Sequence, residues 1–151
     1  YGPWGRPDMA YFRIIDSILN GTEFTKFGGG ELKRDFTYID DITEAIEKLA
    51  NELGSHPSGY SDIVNIGGGK PHSLNDLISV ISNELDSLPN LTETKRNPND
   101  TSYTNADTSL LRNLTGITPR IDLVTGVSNT ISWAKQKGIQ EELTAWINST
   151  N

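Results

Sequence analysis

Apolar residues recur at helical spacing in the first half of the chain, in two stretches with clear boundaries. The first stretch follows Asp8 and stops at residues 20–21, where Asn and Gly end the pattern. Apolar positions three and four residues apart predict an amphipathic helix there. The second stretch starts at Asp40 and Asp41 and stops at Gly54. We expect the two aspartates to cap this helix, and an acid/base couple is the alternative role for them.

The second half of the chain repeats this pattern of a capping residue followed by apolar residues at helical spacing. Ser73, with Asp76 three residues later, is a good N-cap for a third helix. Asp107 is placed to cap a short helix, and Asp122 a longer one that ends near Gly138.

Short runs rich in aromatic and β-branched residues alternate with these helices and predict strands. Residues 24–27 alternate in polarity before three glycines, which suggests a strand and then a turn. Residues 34–39 predict a strand that leads into the second helix, and residues 91–95 predict a further short strand. Residues 62–66, DIVNI, form a nearly continuous apolar run, typical of a buried parallel strand. This order predicts an α/β fold, a small parallel sheet with flanking helices, in one domain over residues 1–151.

Composition narrows the classes of partner and of chemistry. The net charge is −7 and the pI is about 4.7, whereas nucleic acids and anionic membranes both favour a basic surface. The sequence contains no cysteine, which excludes disulfides, thiolate nucleophiles and thiolate metal sites. No apolar run approaches the roughly 18 residues of a membrane span, and the first residues do not have the pattern of a signal peptide. We therefore expect a cytoplasmic protein that binds neither nucleic acid nor membrane.

Three glycines at residues 67–69, followed by Lys70 and a helix, match a phosphate-binding loop only in part. A P-loop has Ser or Thr after Gly-Lys, whereas Pro71 follows Lys70, so a tight turn is the simpler interpretation. The dinucleotide fingerprint G-x-G-x-x-G is absent as well, so the sequence indicates no NAD site. His56 and His72 lie beside prolines in predicted loops, without a partner at the spacing of a metal site. We expect both histidines at the surface, and no bound metal.

A set of basic residues lies outside the predicted helices of this acidic chain. Such a set suits a small polyanion, because the planar guanidinium group of Arg donates paired hydrogen bonds to a diphosphate. Ordinary loop charges are the alternative, which composition alone does not exclude. The residues are Arg6, Lys26, Lys33, Arg34, Lys95 and Arg96.

Two phrases of the sequence, YGPWGRPDMAYF and LKRDFTYIDDI, closely resemble the UDP-glucuronate 4-epimerase group of the extended short-chain dehydrogenases, which are NAD-dependent nucleotide-sugar epimerases and dehydratases. The phrase VNIGGGKPHSLNDLI is similar to the strand, N-x-G turn and helix of that family, and NPNDTSYTNADTSLL to its P-G-D segment. The closing ITPRIDLVTGVSNTISWAK is similar to the last helical region of the family. The resemblance spans residues 1–138 and is most specific in the first two phrases.

The resemblance implies a role for five residues in a nucleotide-sugar site. By position in the family motifs, Arg34 contacts the diphosphate, Phe27 packs against the uracil and Asp100 bonds the ribose. Arg6 lies by the sugar, where its charge suits a carboxylate. Many relatives have an Arg three residues before the ribose Asp; Asn is found there in this chain, so Arg96 is the candidate for the second phosphate contact.

The resemblance also implies that the family's catalytic parts lie outside this sequence. Family catalysis uses NAD on an N-terminal Rossmann core and a Tyr-x-x-x-Lys pair, and no Tyr here has Lys four residues later. The chain is thus expected to be the substrate-binding C-terminal portion, which binds a UDP-sugar weakly, holds no cofactor alone and does not catalyse.

Two alternative functions stay open for such a portion. One is a subunit that completes an epimerase with a separately encoded NAD-binding half, through an apolar surface exposed at the family's domain boundary. The other is a structural module that uses the same surface to form a homodimer.

Overall fold

The computed structural model describes residues 1–136 and 138–149, which form six α-helices, one 3-10 turn at Gly28–Gly30 and four short strands. The helices are α1 (Ala10–Asn20), α2 (Ile39–Leu53), α3 (Leu74–Leu85), α4 (Ser109–Thr115), α5 (Leu123–Ala134) and α6 (Ile139–Ser149). The strands are β1 (Glu23–Phe27), β2 (Lys33–Arg34), β3 (His72–Ser73) and β4 (Asn90–Thr94).

The strands form two separate pairs with helices around them. Strands β1 and β4 are parallel, with Phe24 opposite Leu91, whereas β2 and β3 are antiparallel, with Arg34 opposite His72. The predicted α/β fold with a small parallel sheet and flanking helices is confirmed. None of the helices in the described residues is long and apolar enough to cross a membrane.

The main hydrophobic core lies where α1, α3 and α5 pack together, with α6 against α5. Each of these helices contributes one apolar face, and the side chains of Phe12, Ile15, Leu77, Ile81 and Ile131 are almost completely buried. Helix α2 packs instead against α4. The chain segments that connect these two groups of helices include the loops around β2 and β3.

Helices α1 and α2 occupy the stretches predicted from the apolar pattern, but the predicted capping by Asp40 and Asp41 is wrong. Tyr38 is the N-cap residue of α2, and no side chain caps this end. Asp40 is exposed, whereas Asp41 is only 4% exposed and accepts hydrogen bonds from the backbone N–H groups of Arg120 (3.1 Å) and Ile121 (3.0 Å). The carboxylate of Asp41 therefore holds the loop before α5, a long-range contact that local sequence does not reveal.

Two of the three predicted caps in the second half of the chain are present, those by Ser73 and Asp122. Ser73 and Asp76 form a capping box, in which each side chain accepts a hydrogen bond from the backbone of the other. Asp122 accepts from the backbone of Thr125 at 2.8 Å. The predicted cap by Asp107 is wrong, because Thr108 is the N-cap residue of α4; Asp107 lies one residue earlier and accepts from the backbone of Ser109 at 2.9 Å. Helix α5 ends at Ala134, earlier than predicted, and α6 was not predicted.

Two of the four predicted strands are confirmed as β1 and β4, and the other two predictions are wrong. Over 34–39 only Arg34 belongs to a strand, because the segment bends away toward α2, which begins at Ile39. Residues 62–66 are not a strand, and Ile63 is 88% exposed. A strand needs a neighbour for its backbone hydrogen bonds, and no strand of the described residues lies beside this run.

Replacing Asp41 with Ala should destabilise the fold, because it leaves two backbone N–H groups without their acceptor. We expect the free energy of unfolding to fall by about 2–3 kcal/mol. Urea denaturation followed by circular dichroism measures this change. The matched control, Asp40→Ala, removes only an exposed charge from the start of α2 and should cost less than about 1 kcal/mol. Equal losses in the two variants would contradict the contacts assigned to Asp41.

Stability should fall in acid, because hydrogen bonds from Ser73 lower the pKa of Asp76 and hydrogen bonds from Thr125 lower that of Asp122. A carboxyl group with a lowered pKa in the folded state stabilises the fold above its unfolded pKa, near about 4, and this stabilisation is lost as the pH falls. The urea midpoint should therefore drop as the pH falls below about 5, and continue to drop below about pH 4. Asp76→Asn should lower the midpoint at neutral pH and reduce its dependence on pH; an unchanged pH dependence would contradict this account.

Candidate functional site

A cavity of about 750 Å³ lies between the first residues of the chain, the start of α1, and the loops around β2. Its volume is within the usual range of about 300–1,000 Å³ for small-molecule and cofactor sites. Most of its lining is apolar or aromatic, and the charged residues on its wall are Arg6, Arg34, Asp35 and Asp100. This combination of apolar walls with a few converging charges is typical of a ligand site.

Aromatic rings support the wall of the cavity beside α1. The ring of Tyr1 packs edge-to-face against Tyr11, Phe36 and Tyr38, with centroid distances of 6.0, 6.2 and 5.5 Å. The backbone N–H of Ile39 donates to the carbonyl of Tyr1 at 2.9 Å, which attaches the first residues to the start of α2. These contacts place Arg6 and Arg34 on the same cavity although they are far apart in the sequence.

Arg34 and Asp100, two of the residues singled out in the sequence, form an ion pair on the cavity wall. The distance between Nη2 of Arg34 and Oδ1 of Asp100 is 2.7 Å, and both side chains are partly exposed. Arg34 also donates from Nη1 to the carbonyl of Lys33 at 2.9 Å. A partly exposed pair of this kind contributes about 1 kcal/mol or less, so an anionic ligand can compete for Arg34 at little cost.

Of the other three predicted site residues, Phe27 and Arg6 line the cavity and Arg96 does not. Phe27 lies on the cavity with about half of its surface exposed, at the end of β1. Arg6 lies there too, and its nearest acidic partner is Asp8, at 3.8 Å. Arg96 is not among the residues that line the cavity; its guanidinium group donates to the backbone carbonyl of Asp100. Arg96 is therefore placed to support Asp100.

Asp35, which the sequence did not single out, joins β2 to two other loops. Its carboxylate accepts hydrogen bonds from the backbone N–H of Gly69, at 3.1 Å to each oxygen, and from that of Ala106 at 3.0 Å. We call residues 67–69 the glycine loop. We call residues 102–106 the ribose-side segment, because the family resemblance assigns the ribose to Asp100, which lies just before it. Asp35 was recognisable only as the residue after Arg34 in the RDF phrase.

Two of the three backbone amides of the glycine loop, those of Gly68 and Gly69, already have acceptors. The N–H of Gly68 donates to Oγ1 of Thr37 at 2.9 Å, and the N–H of Gly69 donates to Asp35. A phosphate-binding loop needs such amides free for its ligand. This arrangement supports the structural interpretation of the three glycines over a phosphate loop.

His56 and the buried phenol of Tyr11 make contacts that support a structural role for both. His56 stacks on Tyr60 with a centroid distance of 3.9 Å. Its Nε2 lies 3.6 Å from Oε1 of Glu52, a carboxylate four residues earlier that the sequence did not single out as a partner. No group of acidic or histidine side chains suited to a metal ion is found in the part of the chain that the structure describes. Burial raises the pKa of the Tyr11 phenol to about 12, so this cavity residue stays protonated at neutral pH and donates to the carbonyl of Gly2 at 3.3 Å.

Sequence comparison relates the chain to nucleotide-sugar enzymes. Residues 1–67 match the family described as the NAD dependent epimerase/dehydratase family. A probable UDP-glucuronate 4-epimerase of Rhizobium meliloti is 34% identical over 152 residues, which cover 90% of this chain and 44% of the relative. The UDP-glucuronate 4-epimerase of Thermodesulfobacterium geofontis is 37% identical over 138 residues, covering 90% of this chain and 41% of the relative.

Solved structures agree with the sequence matches. The UDP-glucuronic acid 4-epimerase from Bacillus cereus in complex with UDP-glucuronic acid and NAD is 32% identical, with a TM-score of 0.80, and the match covers 90% of this chain and 42% of that one. MoeE5 in complex with UDP-glucuronic acid and NAD has a TM-score of 0.81 at 29% identity, with 90% and 44% covered.

The chain is similar to nucleotide-sugar epimerases over about 90% of its length, and residues 1–67 match the NAD dependent epimerase/dehydratase family. It spans less than half the length of these relatives. The chain matches the nucleotide-sugar epimerases among them, as the resemblance in its motifs predicted, and the fold is the one expected for their C-terminal portion.

The sequence motifs predicted most of the charged residues on the cavity wall, but they did not predict the residues that shape the cavity. Trp4 lies on the cavity wall, is 65% exposed and has a positive φ of 59°, a strained backbone conformation for a bulky residue. Phe36 and Leu74 also line the cavity, from segments distant in sequence. The only sequence signal for Trp4 and Phe36 is their position beside Arg6 and Arg34 in the two most specific phrases.

Proposed function

We propose that this chain is the substrate-binding portion of a UDP-glucuronate 4-epimerase and that its cavity binds a UDP-sugar. The observation that carries the proposal is the meeting of Arg6, Phe27, Arg34 and Asp100 on one cavity, from four segments of the chain. These are the residues to which the family motifs assign the sugar, the base, the diphosphate and the ribose.

The chemistry of the diphosphate end supports this assignment. Arg34 presents a guanidinium group, which donates paired hydrogen bonds to phosphate oxygens, and its present partner is a weakly bound carboxylate. When the diphosphate replaces Asp100 as the partner of Arg34, the carboxylate of Asp100 is free to accept hydrogen bonds from the ribose hydroxyl groups. Phe27 offers a half-exposed ring against which a uracil can stack.

The sugar end is the basis for choosing a glucuronate. Arg6 is exposed on the cavity and its contact with Asp8 is long, so its charge is available to a sugar carboxylate. A neutral hexose has no group that uses this charge. We therefore expect UDP-glucuronate to bind more tightly than UDP-glucose.

We expect binding without turnover, and no NAD on this chain alone. The Gly68 and Gly69 amides that could hold a pyrophosphate donate to Thr37 and Asp35, and the sequence lacks the dinucleotide fingerprint. These two observations support the expectation that this chain alone holds no NAD. Binding should also be weak, because the chain spans less than half the length of the solved relatives that bind UDP-glucuronic acid.

Millimolar UDP-glucuronate should raise the melting temperature of the chain, since a ligand at about 100 times its dissociation constant adds roughly 2.7 kcal/mol to stability. Arg34→Ala should reduce the shifts with UDP, UDP-glucose and UDP-glucuronate alike. Arg6→Ala should reduce the shift with UDP-glucuronate and leave that with UDP unchanged. Differential scanning fluorimetry and isothermal titration calorimetry measure these effects.

The matched control for this experiment is Arg120→Ala. Arg120 pairs with Glu44 of α2 and does not line the cavity, so its loss should leave the ligand-induced shifts as they are. Two results would sink the binding proposal: no shift of the wild-type chain at millimolar ligand, or equal shifts in wild type and Arg34→Ala.

A second candidate function is that of a subunit completed by a separate NAD-binding polypeptide. Residues 62–66 favour it, because Ile63 is 88% exposed and no strand of the described residues lies beside this apolar run. A strand edge supplied by another polypeptide would satisfy both the backbone and the apolar side chains. Self-association through the same run is the competing use of this surface.

Co-expression with the NAD-binding half of the Bacillus cereus epimerase should yield a complex that forms the C4 epimer of UDP-glucuronate. Ile63→Asp should prevent the complex, since it buries a charge, whereas Leu88→Asp, at a position 81% exposed after α3, should not. Affinity purification and product chromatography provide the readouts. Failure to co-purify would count against the subunit role, and a dimer of the chain alone in light scattering would favour self-association.

A further inference from the structure

The position of Arg34 relative to Asp100 depends on a joint between three segments that are distant in sequence. These segments are residues 33–37, the glycine loop and the ribose-side segment. Outside β2, the described residues of the three segments form no regular secondary structure except an isolated bridge between Lys33 and Tyr103. Their arrangement therefore rests on individual hydrogen bonds and close contacts.

Four hydrogen bonds join the ribose-side segment to residues 33–35. Lys33 exchanges backbone bonds with Ser102 (3.0 Å) and Thr104 (3.1 Å). The N–H of Asp35 then donates to Oγ1 of Thr104 at 3.3 Å, and its carboxylate accepts from Ala106 at 3.0 Å. The last of these bonds fixes the far end of the segment that begins just after Asp100.

The glycine loop reaches the same carboxylate from the other side. The N–H of Gly69 donates to both carboxylate oxygens of Asp35, at 3.1 Å each. A Cβ atom at Gly67 would lie 2.8 Å from Oδ2 of Asp35 and would collide with the side chain of Ala106, and one at Gly68 would lie 3.0 Å from Oδ1. The absence of side chains at these glycines thus lets the loop backbone approach Asp35 and Ala106 closely.

Asp35 lies where two cavities meet. It lines the 750 Å³ cavity that carries Arg34 and Asp100, and also a smaller one of about 320 Å³ formed by the glycine loop and the ribose-side segment. Asp35, together with Thr37, which also lines both cavities, therefore lies between the ligand cavity and its supporting loops.

We infer that Asp35 is the positioning residue of the ligand site: its carboxylate fixes the glycine loop and the ribose-side segment against β2, and thereby sets the distance between Arg34 and Asp100. This inference rests on the proposed UDP-sugar site and adds to it a residue that acts through others. Asp35 binds the backbone of both loops, and Arg34 and Asp100 meet the ligand. A site held in this way loses affinity when its supporting bonds are lost, even if the fold survives.

Asp35→Ala should speed amide hydrogen exchange at both Gly69 and Ala106 and weaken UDP-glucuronate binding by about tenfold, the equivalent of one lost charge-assisted hydrogen bond. Asp35→Asn keeps one acceptor oxygen and should give an intermediate loss of affinity. Exchange is measured by NMR or mass spectrometry on the ligand-free chain, and affinity by calorimetry well below the melting temperature.

The matched control is Asp41→Ala, which removes the same chemistry away from the cavity. Asp41 also holds two backbone N–H groups of a loop with one carboxylate, but it does not line the cavity. This variant should lose stability while keeping the UDP-glucuronate affinity and the exchange rates at Gly69 and Ala106. A merely structural role for Asp35 would make the two variants alike.

The two proposals fail in different measurements. If the wild-type chain binds no UDP-glucuronate, the proposed function falls, while exchange in the ligand-free variants still decides whether Asp35 fixes the two loops. Unchanged exchange at Gly69 or Ala106 in Asp35→Ala would overturn the positioning role. So would faster exchange at both amides with undiminished UDP-glucuronate affinity.

Discussion

Residues 33–37 have little regular secondary structure of their own, yet the candidate site depends on where they lie. Asp35 and Thr37 accept hydrogen bonds from the glycine loop, and Lys33 and Asp35 hold the ribose-side segment. The physical constraint is that buried or crowded backbone amides need acceptors, and short acidic and hydroxyl side chains supply them here. The ion pair between Arg34 and Asp100 is a consequence of this joint.

Buried carboxylates hold neighbouring segments elsewhere in the chain as well. Asp41 holds the loop before α5 through two backbone N–H groups that are distant in sequence. Asp16, which is 4% exposed, accepts local hydrogen bonds from the side chains of Asn20 at 2.6 Å and Thr22 at 2.7 Å at the end of α1. An excess of acidic residues is thus partly structural in this chain. The basic residues Arg6 and Arg34 remain on the cavity, where an anion can use them.

Several large apolar side chains are exposed on the surface of the chain. Ile63, Leu88 and Trp4 are 88%, 81% and 65% exposed. The run around Ile63 has the composition of a buried strand and no strand beside it, so its sequence is suited to a neighbour that the described residues do not provide. This mismatch between composition and surroundings fits the comparison with relatives of more than twice the length.

Local sequence determined the helices α1, α2, α3 and α5, the strands β1 and β4, and the caps by Ser73 and Asp122, because spacing and capping act within a few residues. The two most specific phrases also pointed to Arg6 and Arg34 before any geometry was known. Only the tertiary structure decided that Asp41 holds a distant loop, that residues 62–66 are unpaired and that Asp35 joins three segments. These features depend on which backbone groups meet across 30 to 80 residues, and periodicity carries no information about such meetings.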